Sequence, residues 1–249
     1  KGWIKELPVV SIPKQLPVNK GKVRGGITGE EVDALVLHKE NKYMIDGKHR
    51  KLTKHQKRQR DLIVLMVQFI RYTGLRAGEL LDLKWKEISI AKNEDGVDFI
   101  KINVIDGKTG SRTAVAQSAL SFTLIETHKI TGNGNGYVFC EIDKGTRLTH
   151  PSKTLQVMLK EIGIERKIVL YDARHLFITE SIMNNTDLYT IALNCGTSIN
   201  HIEKTYSKVL AVQRVDKLAR FRNLGTMISA EKASAVVAAV KSAGIIKVE

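Results

Sequence analysis

Hydrophobic positions recur with a helical period along most of this chain. The spacing of Val32, Leu35 and Val36 predicts a short helix after Thr28, which has Glu31 three residues later in the capping-box pattern. Apolar faces of similar spacing predict further helices over residues 48–70, 76–83, 118–129, 149–162, 168–183, 197–206, 207–224 and 230–243. The pattern is that of a mainly α-helical protein.

Residues 97–116 follow a different period. Ile100, Ile102 and Val104 alternate with polar residues, and a Gly-rich turn around Lys108 leads into a second short strand. The turn sequence GKTG is not a P-loop, because it lacks the upstream glycine of GxxxxGK[ST] and lies between strands. We predict a β-hairpin here, so the expected fold class is mainly α with a small antiparallel sheet.

Composition adds a partner class to this picture. The chain has 249 residues, 43% of them hydrophobic, which suffices for one domain of roughly 200 residues with extensions. The 40 Lys and Arg residues exceed the 26 Asp and Glu residues, so the net charge is +14. An excess of this size favours a polyanionic partner, DNA or RNA before a membrane, over a merely soluble basic protein.

The cysteines and the lengths of the apolar runs indicate the cellular compartment. Cys140 and Cys195 show neither the spacing of a metal site nor a disulfide framework, which predicts a reducing environment. No apolar run approaches the ~20 residues that span a bilayer, and no signal peptide is visible. We expect a cytoplasmic protein with no membrane partner, no metal and no cofactor.

Positive charge is concentrated in residues 48–60. Two interpretations stay open: contact with nucleic-acid phosphates, or a solvated helix face or disordered loop. On the first interpretation the candidate DNA contacts are Lys48, Arg50, Lys51, Lys54, Lys57, Arg58 and Arg60, joined by Arg112 and Lys204 elsewhere in the chain.

Two arginines lie near predicted helix starts, where free backbone N–H groups favour anions. Arg76 is on the first turn of its helix, with Glu79 placed to hold it or merely to decorate the helix. Arg174 is followed by His175, which is either catalytic or a core histidine. Tyr206, after the glycine turn at residue 196, taken alone, is a packing residue at a helix end.

Arg76, Lys108, Arg174 and Tyr206, in this order, resemble the signature of the tyrosine recombinases, also called the phage integrase family. TGLRAGELLDLKW resembles the first arginine box, GKTGSRTAV the β-hairpin lysine segment, YDARHLFIT the His-x-x-Arg box, and GTSINHIEKTY the segment ending in the tyrosine nucleophile. The resemblance covers roughly residues 25–225, which is that family's catalytic domain. It implies the fold of that domain, a DNA breaking-rejoining enzyme.

The resemblance implies a mechanism without metal or cofactor. Arg76 and Arg174 bind the scissile phosphate, and Tyr206 attacks it to give a 3′-phosphotyrosyl bond and a 5′-hydroxyl. Lys108 donates the proton to the departing oxygen. His175 is expected to orient Arg174 or the loop beside it.

Two positions depart from the family's common pattern. Tyr171 and Thr197 stand where the resemblance places histidines. The general base for Tyr206 is therefore unassigned, and a catalytically impaired DNA-binding protein remains an alternative. A second alternative is a type IB topoisomerase-like nicking-closing enzyme, which the compact, bacterial-style boxes disfavour.

The resemblance also implies a domain organisation and partners. Residues 1–24 are expected to be a basic linker from an N-terminal DNA-binding domain that this chain lacks, although a flexible end is an equal alternative. Residues 25–228 are the expected catalytic domain, and residues 229–249 a C-terminal helical tail exchanged between subunits. The expected partners are double-stranded DNA at a specific recombination site, a homotetramer on that DNA, and accessory DNA-bending or directionality factors. The expected role is integration or excision of a phage or mobile element, near the nucleoid of a bacterial or phage-infected cell.

Overall fold

The computed structural model describes residues 26–40, 43–45, 48–49, 51–105, 107, 110–132 and 136–213. Its helices are α1 (Gly29–Glu40), α2 (Lys54–Thr73), α3 (Ala77–Asp82), α4 (Leu120–Thr131), α5 (Pro151–Glu161), α6 (Leu170–Met183), α7 (Leu188–Cys195) and α8 (Ile199–Gln213). Its strands are β1 (Met44–Ile45), β2 (Lys48–His49), β3 (Ile88–Lys92), β4 (Asp98–Val104) and β5 (Arg112–Gln117). The predicted class, mainly α with a small antiparallel sheet, is confirmed.

Side-chain caps set the start of the first two helices. Thr28 and Glu31 form the predicted capping box before α1, with Thr28 N donating to Glu31 Oε2 at 2.9 Å. Thr53 and Gln56 form a second box before α2. The prediction that a helix begins at residue 48 was therefore wrong: residues 48–49 form β2, and the box at Thr53 begins the helix later.

The helix α2 is the centre of the hydrophobic core. Residues 62–67 are all buried, because α1, α4, α5 and α6 pack around this helix. Phe69 meets Phe139 edge to face with ring centroids 5.5 Å apart. Burying each large aliphatic side chain of this kind contributes roughly 1.5–3 kcal/mol. The helix ends at Gly74, whose left-handed conformation (φ 67°) returns the chain toward α3.

The predicted hairpin is part of a three-stranded sheet. The strand order is β3-β4-β5, and both pairings are antiparallel. Ile102 pairs with Ile88 on one side and Ala114 on the other, and the side chains of Ile100, Ile102 and Ala114 are buried. The strand β3 was not predicted from the sequence.

The C-terminal helices carry the last part of the site. Asp187 caps α7 by accepting a hydrogen bond from Thr190 N at 2.8 Å, and Gly196 ends α7 with φ 60°. The two helices predicted to meet at Tyr206 are one helix, α8, which is kinked there because Tyr206 has φ −114° and ψ 20°. The predicted linker 1–24 and tail 229–249 lie outside the described residues. Of the described helices, none is both long and apolar enough to cross a bilayer.

Candidate functional site

Glu79 of α3 binds both Arg76, the residue immediately before α3, and Arg112, the first residue of β5. Its Oε1 accepts from Arg76 Nη1 at 2.7 Å, and its two oxygens accept from Arg112 Nη1 and Nη2, both at 2.8 Å. Burial acts to raise the pKa of Glu79, but hydrogen bonds from Arg112 and from the backbone and side chain of Arg76 outweigh it and lower the pKa to about 2. The carboxylate is therefore ionised and fixes both guanidiniums.

Two glycine turns supply carbonyls that orient the site arginines. Arg76 Nη2 donates to the carbonyl of Gly196 after α7. Arg174 Nη1 donates to the carbonyl of Gly74 after α2, at 2.7 Å. Residues at least 100 positions apart are thus held at one site. The left-handed conformation of each turn, φ 67° at Gly74 and φ 60° at Gly196, presents these carbonyls.

Arg174 is buried but not fully hydrogen-bonded. Its side chain is 2% exposed, and its Nε has no partner among the described residues. Burial lowers the pKa of Arg174 below its ordinary value, and the nearby charge of Arg76 lowers it further. A buried donor without a partner costs about 1–3 kcal/mol. An anion bound beside Arg174 would supply the missing acceptor.

Tyr206 lies beside this cationic site. Its side chain is 6% exposed, and its hydroxyl is 2.5 Å from Nδ1 of His175. Tyr171, which is 38% exposed, packs edge to face against His175 with ring centroids 4.8 Å apart. Burial, with a smaller contribution from Tyr171, raises the pKa of Tyr206 above its usual value, and Arg174 only partly offsets this rise. Burial lowers the pKa of His175.

Thr197 and Cys195 have supporting positions. Thr197 N donates to Ala192 O at 3.0 Å and so closes the end of α7. Cys195 is fully buried, and burial raises the pKa of its thiol to about 11 although Arg174 favours the thiolate. The thiol is therefore protonated near neutral pH and packs beneath the site, where a side chain on Gly74 would come within 2.8 Å of its sulfur.

Two of the predicted DNA contacts are internal ion pairs, and these two assignments are corrected. Arg60 is 6% exposed and donates to both oxygens of Glu161, at 2.6 and 2.9 Å. Arg112 is committed to Glu79 and, through Nε, to Asn194 O at 3.1 Å. The positive charge of each residue is visible in the sequence, but its burial arises from partners far away in the chain.

The remaining basic candidates divide by exposure. Lys51, Lys54 and Lys204 are exposed and Lys57 is half-buried, while Arg58 donates to the carbonyl of Ile130 at 2.6 Å. Arg50, Lys108 and the side chain of Lys48 lie outside the described part of the chain. No group of three His, Cys, Asp or Glu residues in the described part is arranged to hold a metal ion.

Residues 28–211 match the sequence model of the phage integrase family. The chain belongs to the phage integrase family. No curated protein sequence matches it.

Solved structures of recombinases resemble this phage integrase family member in fold. One is the XerH site-specific recombinase bound to palindromic difH substrate, with a TM-score of 0.57 and 20% identity over 81% of this chain and 55% of that chain. Another is the Tn1549 transposon integrase in complex with transposon right end DNA, with a TM-score of 0.53 and 15% identity over 80% of this chain and 68% of that chain. The chain thus spans about half the length of the XerH chain, 55%.

Asn194 also stabilises the site of this phage integrase family member. The sequence did not predict this role. Its side chain accepts from Val115 N at 2.7 Å and donates to Thr73 O at 3.0 Å, so it links β5 to the end of α2. The one signal for it was its position two residues before Gly196, since polar residues near a helix C-terminus often meet neighbouring backbone groups.

Proposed function

We propose that this chain is a tyrosine-type site-specific DNA recombinase in which Tyr206 is the nucleophile. The observation that carries the proposal is the convergence of Tyr206, Arg76 and Arg174 at one site. The arginines are oriented by carbonyls of the turns at residues 74 and 196, and the buried Nε of Arg174 has no hydrogen-bond partner in the part of the chain that the structure describes. A phosphodiester is the anion that matches a phenol hydroxyl beside two guanidiniums.

The site chemistry suits transesterification. Attack on phosphorus gathers negative charge on the nonbridging oxygens, and guanidiniums that are already fixed stabilise that charge without reorganising. Tyr206 forms a 3′-phosphotyrosyl bond, and the 5′-oxygen leaves with a proton from Lys108, the role that the family resemblance gives to the hairpin lysine. The covalent bond conserves the phosphodiester energy, so rejoining needs no ATP.

The proposed partner is double-stranded DNA at a specific recombination site. The net charge of +14 supports a polyanionic partner. The related structures are a recombinase with a difH substrate and an integrase with transposon right end DNA. By extension we propose integration or excision of a phage or mobile element by a tetramer with accessory factors. In that scheme residues 25–228 are catalytic, residues 1–24 are a linker, and residues 229–249 form an exchanged tail.

A nicked suicide duplex tests the nucleophile. Cleavage on such a substrate releases a short 5′-hydroxyl fragment, which traps the covalent adduct for gel analysis. We expect an adduct with the wild-type chain, no adduct with Tyr206→Phe, and a retained adduct with the matched variant Tyr171→Phe. An adduct that survives Tyr206→Phe contradicts the assignment.

A catalytically impaired DNA-binding protein is the second candidate. Tyr171 and Thr197, which stand at the family's histidine positions, favour it. Intact duplex binding with no adduct on any nicked substrate supports this candidate. Adduct formation without strand exchange between two labelled duplexes instead supports a nicking-closing enzyme of the topoisomerase type.

A further inference from the structure

Among the described residues, His175 is the hydrogen-bond partner that brings a basic nitrogen to the hydroxyl of Tyr206. His175 Nδ1 lies 2.5 Å from it, which is a short contact for a nitrogen and an oxygen. The two rings are tilted by 48°, with centroids 5.7 Å apart, so the contact is made through the ring edge of His175 rather than by stacking. The imidazole therefore touches the atom that would attack phosphorus.

The location of His175 on α6 relates it to the family's missing histidine. Tyr171 occupies that histidine position, and His175 follows four residues later on the same face of α6. The edge-to-face contact between the two rings, at 4.8 Å, confirms the shared face. An imidazole is therefore present in the site, one helical turn from the expected position.

We propose that His175 is the general base that accepts the proton of Tyr206 during strand cleavage. This inference rests on the proposed function and names a catalytic residue within it. In the resting site neutral His175 accepts from the Tyr206 hydroxyl through Nδ1 and keeps its own proton on Nε2.

The proton transfer balances with the phosphoryl transfer. As the Tyr206 oxygen bonds to phosphorus, its O–H bond breaks and an N–H bond forms at Nδ1 of His175. The bond from phosphorus to the 5′-oxygen breaks, and that oxygen takes its proton from Lys108. On rejoining, the imidazolium returns the proton to Tyr206 as the 5′-hydroxyl attacks the phosphotyrosyl bond.

The surroundings of His175 favour its neutral, proton-accepting form. Asp172 and Arg174 act on it from its own helix, with opposite signs, and His201 acts from α8. Tyr171 and Arg174 of α6 and Cys195 of α7 act on Tyr206, and the Cys195 thiol is protonated near neutral pH. Burial is the largest effect and lowers the pKa of His175 from 6.5, so the base is deprotonated at neutral pH.

Single-turnover cleavage of a nicked suicide duplex, followed from pH 5 to pH 9 with the whole chain, tests the proposal. The wild-type rate should fall as pH decreases through the pKa of His175, since the protonated ring cannot accept a proton. His175→Gln keeps a hydrogen-bond acceptor but no base. The cleavage rate of this variant near neutral pH should be about 10²–10⁴-fold below that of the wild type. The fall in rate at acidic pH, which is the acidic limb of the pH–rate profile, should disappear. The affinity for the duplex should not change.

Two controls separate the base from other roles. The matched variant His150→Gln changes an exposed histidine at the N-cap of α5 and should keep both the rate and the acidic limb. A duplex with sulfur at the 5′-bridging position removes the need for a leaving-group proton, so the His175→Gln defect should persist on it. Rescue by sulfur would place His175 at the leaving group and overturn the proposal.

The remaining outcomes are decisive as well. A wild-type rate that lacks the acidic limb overturns the proposal even if His175→Gln does not fold. A His175→Gln variant that cleaves as fast as the wild type also overturns it. A variant that cleaves faster overturns it too, and would mean that the contact with His175 restrains Tyr206 before the reaction. Absence of a Tyr206-dependent adduct in the wild type defeats the proposed function itself, whereas an adduct that is indifferent to His175 defeats only this inference.

Discussion

At the scale of single residues, Glu79 determines how the site arginines are held. A carboxylate that is 6% exposed at its side chain accepts from two guanidiniums and from the backbone N–H of Arg76. Arg112, assigned to DNA from the sequence, instead pairs with this carboxylate. Because a buried charge left unpaired is strongly destabilising, each member of this group depends on the others.

Glu79→Gln should lower the free energy of unfolding at pH 7 by about 3 kcal/mol. The pKa of Glu79 is 4.5 unfolded and about 2 folded. Its stabilisation is therefore fully present above pH 4.5 and is lost as pH falls toward 2. Urea unfolding at pH 7 and pH 3 measures this: the difference between wild type and Glu79→Gln should shrink at pH 3.

The control for this prediction is Glu126→Gln, which removes a carboxylate paired with Lys129 on an exposed surface. It should cost less than about 1 kcal/mol at either pH. Equal effects of the two substitutions would contradict the role given to Glu79.

At the scale of elements, the turn between α7 and α8 positions both Arg76 and Tyr206. A Cβ on Gly196 would lie 2.7–2.8 Å from three atoms of the Arg112 guanidinium. That guanidinium is fixed by Glu79 and by the carbonyl of Asn194, so it cannot retreat without breaking those hydrogen bonds.

Gly196→Ala should therefore reduce cleavage as well as stability. The matched control is Gly163→Ala, because Gly163 follows α5 with φ 83° and a Cβ added to it would meet no described atom within 4 Å. Both substitutions bear the left-handed backbone cost of about 1–2 kcal/mol. Only Gly196→Ala should lose further stability. It should also lower the single-turnover cleavage rate by at least about tenfold, because the phosphate ligands would be displaced. Equal behaviour of the two variants would rule out the contact with Arg112 as the cause.

Sequence patterns predicted the elements that residues close together in the chain determine. The capping box at Thr28 predicted the start of α1, apolar faces predicted α1 and the buried part of α2, and four ordered motifs predicted Arg76, Arg174 and Tyr206 as site residues. The edge strand β3 was missed because its partner β4 defines it, and its central Ile90 is exposed. Arg60 was misassigned because its partner Glu161 lies 101 positions away. A single sequence displays charge but does not display such long-range pairing.

The helix α2 carries both surface and buried charge, and this division is testable. Arg60→Ala removes the guanidinium that pairs with buried Glu161 and leaves that carboxylate its contact with His38 Nε2 at 3.0 Å, so it should cost about 3 kcal/mol of stability. Lys57→Ala, one turn earlier, should change stability by less than about 0.5 kcal/mol and weaken duplex binding. Thermal unfolding and fluorescence anisotropy with a labelled duplex measure the two effects. A stable Arg60→Ala variant with reduced DNA affinity would restore the original assignment.

At the scale of the whole molecule, arginine and lysine have separate roles in the described residues. Every described arginine donates to a carboxylate or a backbone carbonyl of the protein, and these residues are Arg58, Arg60, Arg71, Arg76, Arg112, Arg147, Arg166 and Arg174. The exposed positive charge of this part is therefore carried mainly by lysines. Lysine contacts act on phosphates as point charges, which supply affinity without base discrimination.

Duplex binding should accordingly depend steeply on salt through the lysines at the start of α2. Each phosphate neutralised adds about 0.9 to the slope of log K against log salt. Replacing Lys51, Lys54 and Lys57 together by Gln should lower the magnitude of that slope by up to roughly 3, measured by anisotropy between low and moderate KCl. The matched variant Lys92→Gln removes an exposed lysine of β3 that pairs with Asp98 at 3.9 Å, and it should leave the slope unchanged. A slope that the triple substitution leaves intact would place the DNA-binding surface away from the start of α2, and a flat wild-type response would argue against DNA as the partner.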